Sequence, residues 1–471
     1  MLLRQIFDPK LAQYAYLIGC QQTGEALLID PERDIDRYVE LADSEGLRIT
    51  AVTETHIHAD FLSGAREFAD RFGVALYLSD EGDADWKYEW VQDGDYEVQL
   101  LKDGDSFHIG NVEIQALHTP GHTPEHVSFM VLDHGSGASE PMGIATGDFV
   151  FVGDLGRPDL LESAAGQVGA MEPSARTLYR SVQDFLELPD YLQLWPAHGA
   201  GSACGKALGA VPSSTVGYEK RYNAAIGSAR GSEQEFVAAI LEGQPEPPLY
   251  FARMKRLNKQ GPPLLGELPV PARITAESLA GLVGESGAVV IDTRLDRRAF
   301  MQGHLPGALY APLDKSFPTV VGCYVLPEEE IHLIVEEERT EEAVRDLVRI
   351  GYDRVVGCAP PETLAEVASI RELESTPIVH FSDVRKLMGR PEIQALDVRR
   401  AAEYQPAHVP HALNIAHTRL LERVDEVPED KELLVYCRTG SRSAVAAAML
   451  ERAGRRVRYV DDEFSNFESP A

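Results

Sequence analysis

Four short segments in the first half of the chain gather the donors a metal ion needs. Thr55-His56-Ile57-His58-Ala59-Asp60-Phe61 follows the apolar run RITAV, and His118-Thr119-Pro120-Gly121-His122-Thr123 follows VEIQAL. Thr146-Gly147-Asp148 follows GIA, and Trp195-Pro196-Ala197-His198-Gly199 completes the set. Imidazole nitrogen and carboxylate oxygen are ligands of zinc and of non-haem iron. Loops at strand ends can aim such ligands at one point, because the strands beneath them are rigid. A lone histidine is more often satisfied by a hydrogen bond than by a metal, so the reading rests on the four segments together.

A second chemistry is written near the C-terminus, in ELLVYCRTGSRSAVAAAML. The pattern predicts an apolar strand, a tight loop from Cys437 to Arg442 and an alanine-rich helix. A sulfur in that loop faces the N–H groups of Thr439, Gly440 and Ser441 and a helix N-terminus, which stabilise negative charge. Arg438 and Arg442 add cationic donors suited to the oxygens of sulfite or thiosulfate. A cysteine packed inertly at the end of a core strand is the plain alternative, and the Cys-Arg-x-Gly-x-Arg order between strand and helix weighs against it.

The elements that must position these groups fall into three blocks. Residues 1–243 mix strand-like runs (RITAVTETH, VALYLS, NVEIQAL) with helical stretches such as GAREFADRFG. Seven prolines between Pro245 and Pro271 predict an extended connector over 244–271. An internal repeat follows: VVIDTRLDRRAFMQGHLPGAL at 289–309 matches QALDVRRAAEYQPAHVPHAL at 394–413, pairing Asp292 with Asp397, Arg294 with Arg399 and His304 with His408. The repeat predicts two homologous α/β domains, 272–374 and 375–471. In the first of them HLIV leads into Glu336-Glu337-Glu338, with Glu336 set opposite Cys437. Carboxylates repel an anionic sulfur, so this copy is expected to be catalytically inactive and kept for architecture or docking.

Composition narrows the partners. The 471 residues carry 44 Lys and Arg against 75 Asp and Glu, a formal charge of −31, which repels nucleic acid and requires local cations for any anionic substrate. No apolar run is long enough to span a bilayer and the N-terminus lacks a secretory apolar stretch, which predicts a cytoplasmic protein without a membrane partner. Five scattered cysteines without a CxxC pair fit a reducing compartment with one or two special thiols.

Taken together, the histidine and aspartate segments resemble the metallo-β-lactamase superfamily, whose pattern is HxHxDH, a distant His, a bridging Asp and a final His. The departure is Phe61, which stands where a two-zinc hydrolase has the last His of that motif and cannot coordinate. The chain is similar to the persulfide dioxygenase branch, and Gly156-Arg157-Pro158-Asp159 supports the likeness. That resemblance implies an αβ/βα sandwich and one Fe(II) per chain on His56, His122 and Asp148, with zinc the less favoured ion. His58, Asp60 and His198 are then ligand-orienting or substrate-side groups, and Arg157 with Asp159 either contacts substrate or forms a structural ion pair. Cys204 is read as a buried inert thiol ahead of a persulfide relay. Tyr218, Lys220 and Arg221 either grip a thiol carrier or line a solvated helix face.

The segment around Cys437 resembles the rhodanese active loop, and the repeat makes both C-terminal domains rhodanese-like with only the last armed. The combined resemblance implies O2-dependent oxidation of a small persulfide, such as glutathione persulfide, to sulfite and thiol. Sulfur transfer between persulfide or thiosulfate and sulfite through Cys437 would be coupled to it. It also leaves a homo-oligomer as an expectation. Two other readings stand beside it: a zinc thioester hydrolase like glyoxalase II fused to a rhodanese, and a persulfide carrier or sensor.

Overall fold

The structure is a computed structural model and describes residues 1–92, 94–163 and 168–468. Its contacts divide the chain into two compact units, Met1–Gly266 with Val348–Gly351, and Glu267–Leu347 with Tyr352–Ala471. Among the described residues no helix is long and apolar enough to cross a membrane.

Strand alternation builds the first unit. Successive side chains of a strand point to opposite faces. In Gln13–Cys20, Tyr14, Tyr16 and Ile18 enter one buried cluster while Ala15 and Leu17 enter another. The first sheet runs Leu2–Asp8, Gln13–Cys20, Glu25–Ile29, Arg48–Thr53, Ala75–Ser79, Val98–Leu101, antiparallel at the start and parallel from the third strand on. The second runs Ser214–Thr215, Gln193–Pro196, Gly143–Gly147, Val127–Asp133, Val112–His118, Ser106–Ile109. Tyr16, Ile18 and Leu27 of one sheet meet Ile114, Phe129 and Trp195 of the other in a shared core. The helices Asp36–Ser44 and Ala65–Phe72 cover the outer face of the first sheet, and Met171–Glu187 and Glu233–Leu241 that of the second. This is the four-layer αβ/βα sandwich.

The proline-rich stretch corrects one expectation. Phe251–Gln260 is a ten-residue helix, not extended chain. The prolines cluster at 245–248 and 262–271 and leave the residues between free of them, and proline bars a helix only where it stands.

The second unit holds two five-stranded parallel sheets of the same strand order. The first runs Ala272–Arg273, Val355–Ala359, Glu330–Ile334, Ala288–Asp292, Leu309–Tyr310, and the second Ile378–Val379, Arg456–Val460, Glu432–Tyr436, Ile393–Asp397, Leu413–Asn414. Register refines the sequence comparison. Asp292 pairs with Ile334 and Asp397 with Tyr436, so the residue topologically equivalent to Cys437 is buried Val335, and Glu336 lies one position further on. The first sheet's loop still carries no thiol: Cys323 sits in the helix Phe317–Tyr324 and Cys358 inside the strand Val355–Ala359.

Candidate metal centre and thiol loop

The four donor segments of the first unit converge at the strand ends. The ligand atoms of His56, His122 and Asp148 lie within 4.8 Å of one another, and all three residues are buried. Neighbours set the face each ring presents. Thr55 Oγ1 donates to Asp30 Oδ2 at 2.9 Å, so the 2.9 Å contact between Thr55 Oγ1 and His56 Nδ1 leaves His56 to donate, with its lone pair on Nε2. His122 Nδ1 donates to the Arg157 carbonyl at 3.0 Å, and its Nε2 stands 3.5 Å from Asp148 Oδ2. Outer partners of this kind fix tautomer and aim in metal sites. Gly147 lets the Asp148 loop come this close: its φ is +51°, and a Cβ there would lie 2.6 Å from both His126 Nε2 and Thr55 Oγ1.

A second group of donors adjoins the first. Asp60, His198 and Cys204 place ligand atoms within 4.8 Å of one another, all buried. His198 Nε2 stands 3.3 Å from Asp60 Oδ2 and 3.4 Å from Asp148 Oδ1, with Nδ1 given to the Ala12 carbonyl at 3.2 Å. Phe61 offers no ligand and packs against His58, with centroids 4.4 Å apart and the rings tilted by 32°. Cys204 nevertheless brings a sulfur to the neighbourhood that Phe61 leaves unserved, so the second position is less impoverished than the motif alone implies. Burial, with Asp148 and Asp60 beside it, pushes the Cys204 thiol well above its usual range, so without a cation it stays protonated.

These residues fit a cation. Both Asp148 oxygens, Asp60 Oδ2 and His198 Nε2 are buried without a hydrogen-bond partner, an expensive arrangement unless something positive sits among them. Burial depresses His56 well below the imidazole range and His122 to about 4, so both are neutral lone-pair donors. Burial also raises the carboxyls of Asp60 and Asp148, a shift that a cation would reverse. Two imidazoles and one carboxylate form the donor set of non-haem ferrous sites, and zinc takes the same atoms.

Several supporting residues carry no motif. Asp30, at a left-handed φ of +52°, accepts from the Thr55 N–H at 2.7 Å and from His58 Nε2 at 3.0 Å. Burial opposes charge on His58, but Asp30 outweighs it and holds that imidazole up at about 9, an ion pair. His126 is buried, 5.2 Å from His56 between centroids, and accepts the Asp148 N–H at 3.0 Å. Asn258, from the helix within the proline-rich stretch, donates to the carbonyls of His58 (2.8 Å) and Phe61 (2.7 Å) and accepts from the Ser63 N–H (2.9 Å). Arg157 and Asp159 are a buried bidentate pair, 2.8 and 2.6 Å, and Arg157 acts on the centre through its carbonyl. Lys220 is held by Asp190 and the Leu188 carbonyl, and Tyr218 is exposed beside it, as on a solvated helix face.

In the second unit Cys437 follows the strand Glu432–Tyr436 and is buried, with the helix Ser441–Arg452 beyond it. The Gly440 N–H donates to its Sγ at 3.2 Å, and Ser443 Oγ lies 3.5 Å from it. Arg442 is engaged by Glu403 through two bonds of 2.6 and 2.8 Å, so its cation is oriented and partly matched. Arg438, Thr439 and Ser441 are exposed at the mouth of the loop. Ser443 and Glu403 were not singled out in the sequence; Ser443, one residue past the Cys-x4-Arg signature, was the legible one of the two.

Comparison with known proteins agrees with this geometry. Residues 8–198 match the metallo-β-lactamase superfamily, and residues 380–470 match the rhodanese-like domain family. The mitochondrial persulfide dioxygenase ETHE1 of Bos taurus is 32% identical over 203 residues, covering 42% of this chain and 68% of that protein. The Homo sapiens protein of the same name is 30% identical over the same shares. A crystal structure of a metallo-β-lactamase from Staphylococcus aureus subsp. aureus COL is 40% identical with a TM-score of 0.68, covering 77% of this chain and 98% of that one.

Proposed function

The chain belongs to the metallo-β-lactamase superfamily and carries a C-terminal rhodanese-like domain, and on that premise we propose that it oxidises a small persulfide and transfers sulfane sulfur. The observation that carries the reading is the buried group of His56, His122 and Asp148: two neutral imidazoles beside a carboxylate whose own two oxygens have no hydrogen-bond partner.

In the first reaction one persulfide, one O2 and one water give one sulfite and the free thiol. A ferrous ion, when bound, supplies the electron chemistry that ground-state O2 requires. The protein's own part is to aim Nε2 of His56 and His122 through Thr55 and the Arg157 carbonyl, and to set Asp148 beside them, where a bound cation would hold its carboxylate ionised. His198, given its Nδ1 bond to Ala12, presents Nε2 to the same space and can hold or pass a proton there. In the second reaction the Cys437 thiolate attacks the outer sulfur of a persulfide, the S–S bond breaks, and the small thiol leaves with the proton. Sulfite then attacks the outer sulfur of the Cys437 persulfide, giving thiosulfate and restoring the thiolate. The reverse, in which thiosulfate loads Cys437, uses the same groups. Tethering keeps the second site near the first site's product.

One observation favours a second reading. Cys204 with Asp60 and His198 supplies three donors next to the first group, as a two-zinc thioester hydrolase would need.

The deciding measurement is metal content together with O2 uptake on glutathione persulfide, for the parent chain and His122→Ala. About one iron per chain, with O2 uptake and sulfite or thiosulfate release lost in His122→Ala, is the expected result. About two zinc ions per chain, thioester cleavage and no O2 uptake would replace it with the second reading.

A further inference from the structure

The sheet domain whose own loop carries no thiol reaches into the thiol loop of the other. Arg297, at the start of the helix Arg297–Gln302 in the 272–374 segment, donates through Nη2 to the Thr439 carbonyl at 3.0 Å and through Nη1 to Ser441 Oγ at 3.2 Å. It is anchored from behind by Asp461, whose Oδ1 accepts from Nε at 3.0 Å and from Nη2 at 2.8 Å. Tyr459 closes the frame, donating to Asp461 Oδ1 at 2.9 Å and approaching the Gly440 carbonyl at 3.1 Å. Arg298 also pairs with Asp461, so two guanidinium groups face one carboxylate and a net positive charge remains near the loop.

The contact with Thr439 matters because of what shares its peptide group. The Thr439 carbonyl and the Gly440 N–H belong to one planar unit and point in opposite directions. That N–H is the one that donates to Cys437 Sγ at 3.2 Å. Gly440 sits at φ +94°, a conformation open to glycine, and glycine equally tolerates the peptide turned over. With the plane reversed, a carbonyl oxygen would face the sulfur and repel a thiolate or an anionic persulfide.

We propose that Arg297 is a positioning residue for Cys437: by gripping the Thr439 carbonyl it keeps the Gly440 N–H aimed at the sulfur. The inference rests on reading Cys437 as the sulfur-transfer thiol, and it gives the domain without a loop thiol a task in the other domain's chemistry. A planar, forked guanidinium reaches the carbonyl, the hydroxyl and the carboxylate together, which an ammonium cannot.

The test uses the full chain at pH 7. Iodoacetamide alkylation is followed at the Cys437 peptide by mass spectrometry, and turnover is followed with thiosulfate as donor and cyanide as acceptor. Arg297→Met is expected to lower both the alkylation rate and kcat by about ten- to a hundredfold with KM for thiosulfate little changed, the scale of one charge-assisted hydrogen bond. Arg297→Lys, which keeps the charge and the Asp461 pair, is expected to recover no more than about threefold of that loss. Arg298→Ala, which touches Asp461 but not the loop, is expected to stay within about twofold of the parent. Parental rates in Arg297→Met or in Arg297→Lys overturn the proposal, the latter even if the methionine variant fails to fold. An equal loss in Arg298→Ala overturns it too, by assigning the effect to general charge. A parent chain that alkylates at Cys437 yet never turns over would refute the transfer reading, and alkylation alone would still decide the role of Arg297.

Discussion

Asn258→Ala should loosen the metal centre from outside it. The Asn258 amide bonds three backbone groups of the His58–Ser63 turn: the His58 and Phe61 carbonyls at 2.8 and 2.7 Å and the Ser63 N–H at 2.9 Å. Residues 58, 61 and 63 are buried, so truncation leaves three backbone groups without protein partners. Each net hydrogen bond contributes about 1 kcal/mol, and each buried group left unsatisfied costs about 1–3 kcal/mol. Water entering the vacated space offsets part of this, which puts the loss at about 3 kcal/mol. For a unit of this size that corresponds to a fall in melting temperature of about 6–12 °C. Metal affinity should fall with it, because His56, His58 and Asp60 share the turn. Asn258→Asp is the sharper variant. It keeps the acceptor for Ser63 but turns a carboxylate oxygen toward two carbonyls, so it should cost at least as much as alanine despite its matching shape. Calorimetry of the holoprotein, with metal content measured on the same samples, reads both effects. An Asn258→Ala protein that melts within about 1 °C of the parent and holds its full metal content would refute the claim that this amide supports the centre.

Two further outcomes follow from the second unit. Gly440→Ala places a Cβ 2.7 Å from Tyr459 Oη and 2.8 Å from Asp461 Oδ1 at a φ of +94°; it should cost about 1–3 kcal/mol and slow Cys437 alkylation, and a variant with parental melting and reactivity would contradict it. Burial, with Glu374 nearby, raises the Glu451 carboxyl to about 7, so the folded chain binds more protons there than the unfolded chain between about pH 4.3 and 7. That contribution is full at low pH and is lost as pH rises through the window. Glu451→Gln should therefore melt higher than the parent at pH 8 and show no such advantage at pH 5; a difference independent of pH in scanning calorimetry counts against this.

The two chemistries were legible in the sequence because their carriers are local. His56, His58 and Asp60 share one turn, His122 lies in the loop after the strand that ends at His118, Asp148 directly follows the strand Gly143–Gly147, and Cys437 to Arg442 is a contiguous run from a strand end into the first turn of a helix. The strand-like runs RITAVTETH, VALYLS and NVEIQAL likewise announced strands, and the Asp292/Asp397 repeat announced the paired sheets. Where position along a strand mattered, sequence matching slipped by one: the hydrogen-bond ladder sets Val335, not Glu336, at the place of Cys437, and register is a property of pairing.

What no spacing could reveal are the contacts that packing creates between distant segments. Asp30 and Asn258 fasten the His56–Ser63 turn from opposite ends of the unit's sequence. Cys204 arrives beside Asp60 and His198 only because its loop folds back under Arg157. Arg297 reaches Thr439 across 142 residues. Each of these is an ordinary polar or thiol side chain whose meaning depends on which buried backbone group or charge it meets. Residue types and their local order therefore determine which reactions the chain can attempt, while the tertiary structure decides which side chains hold the reacting groups in place, because burial removes water and leaves those few partners to satisfy them.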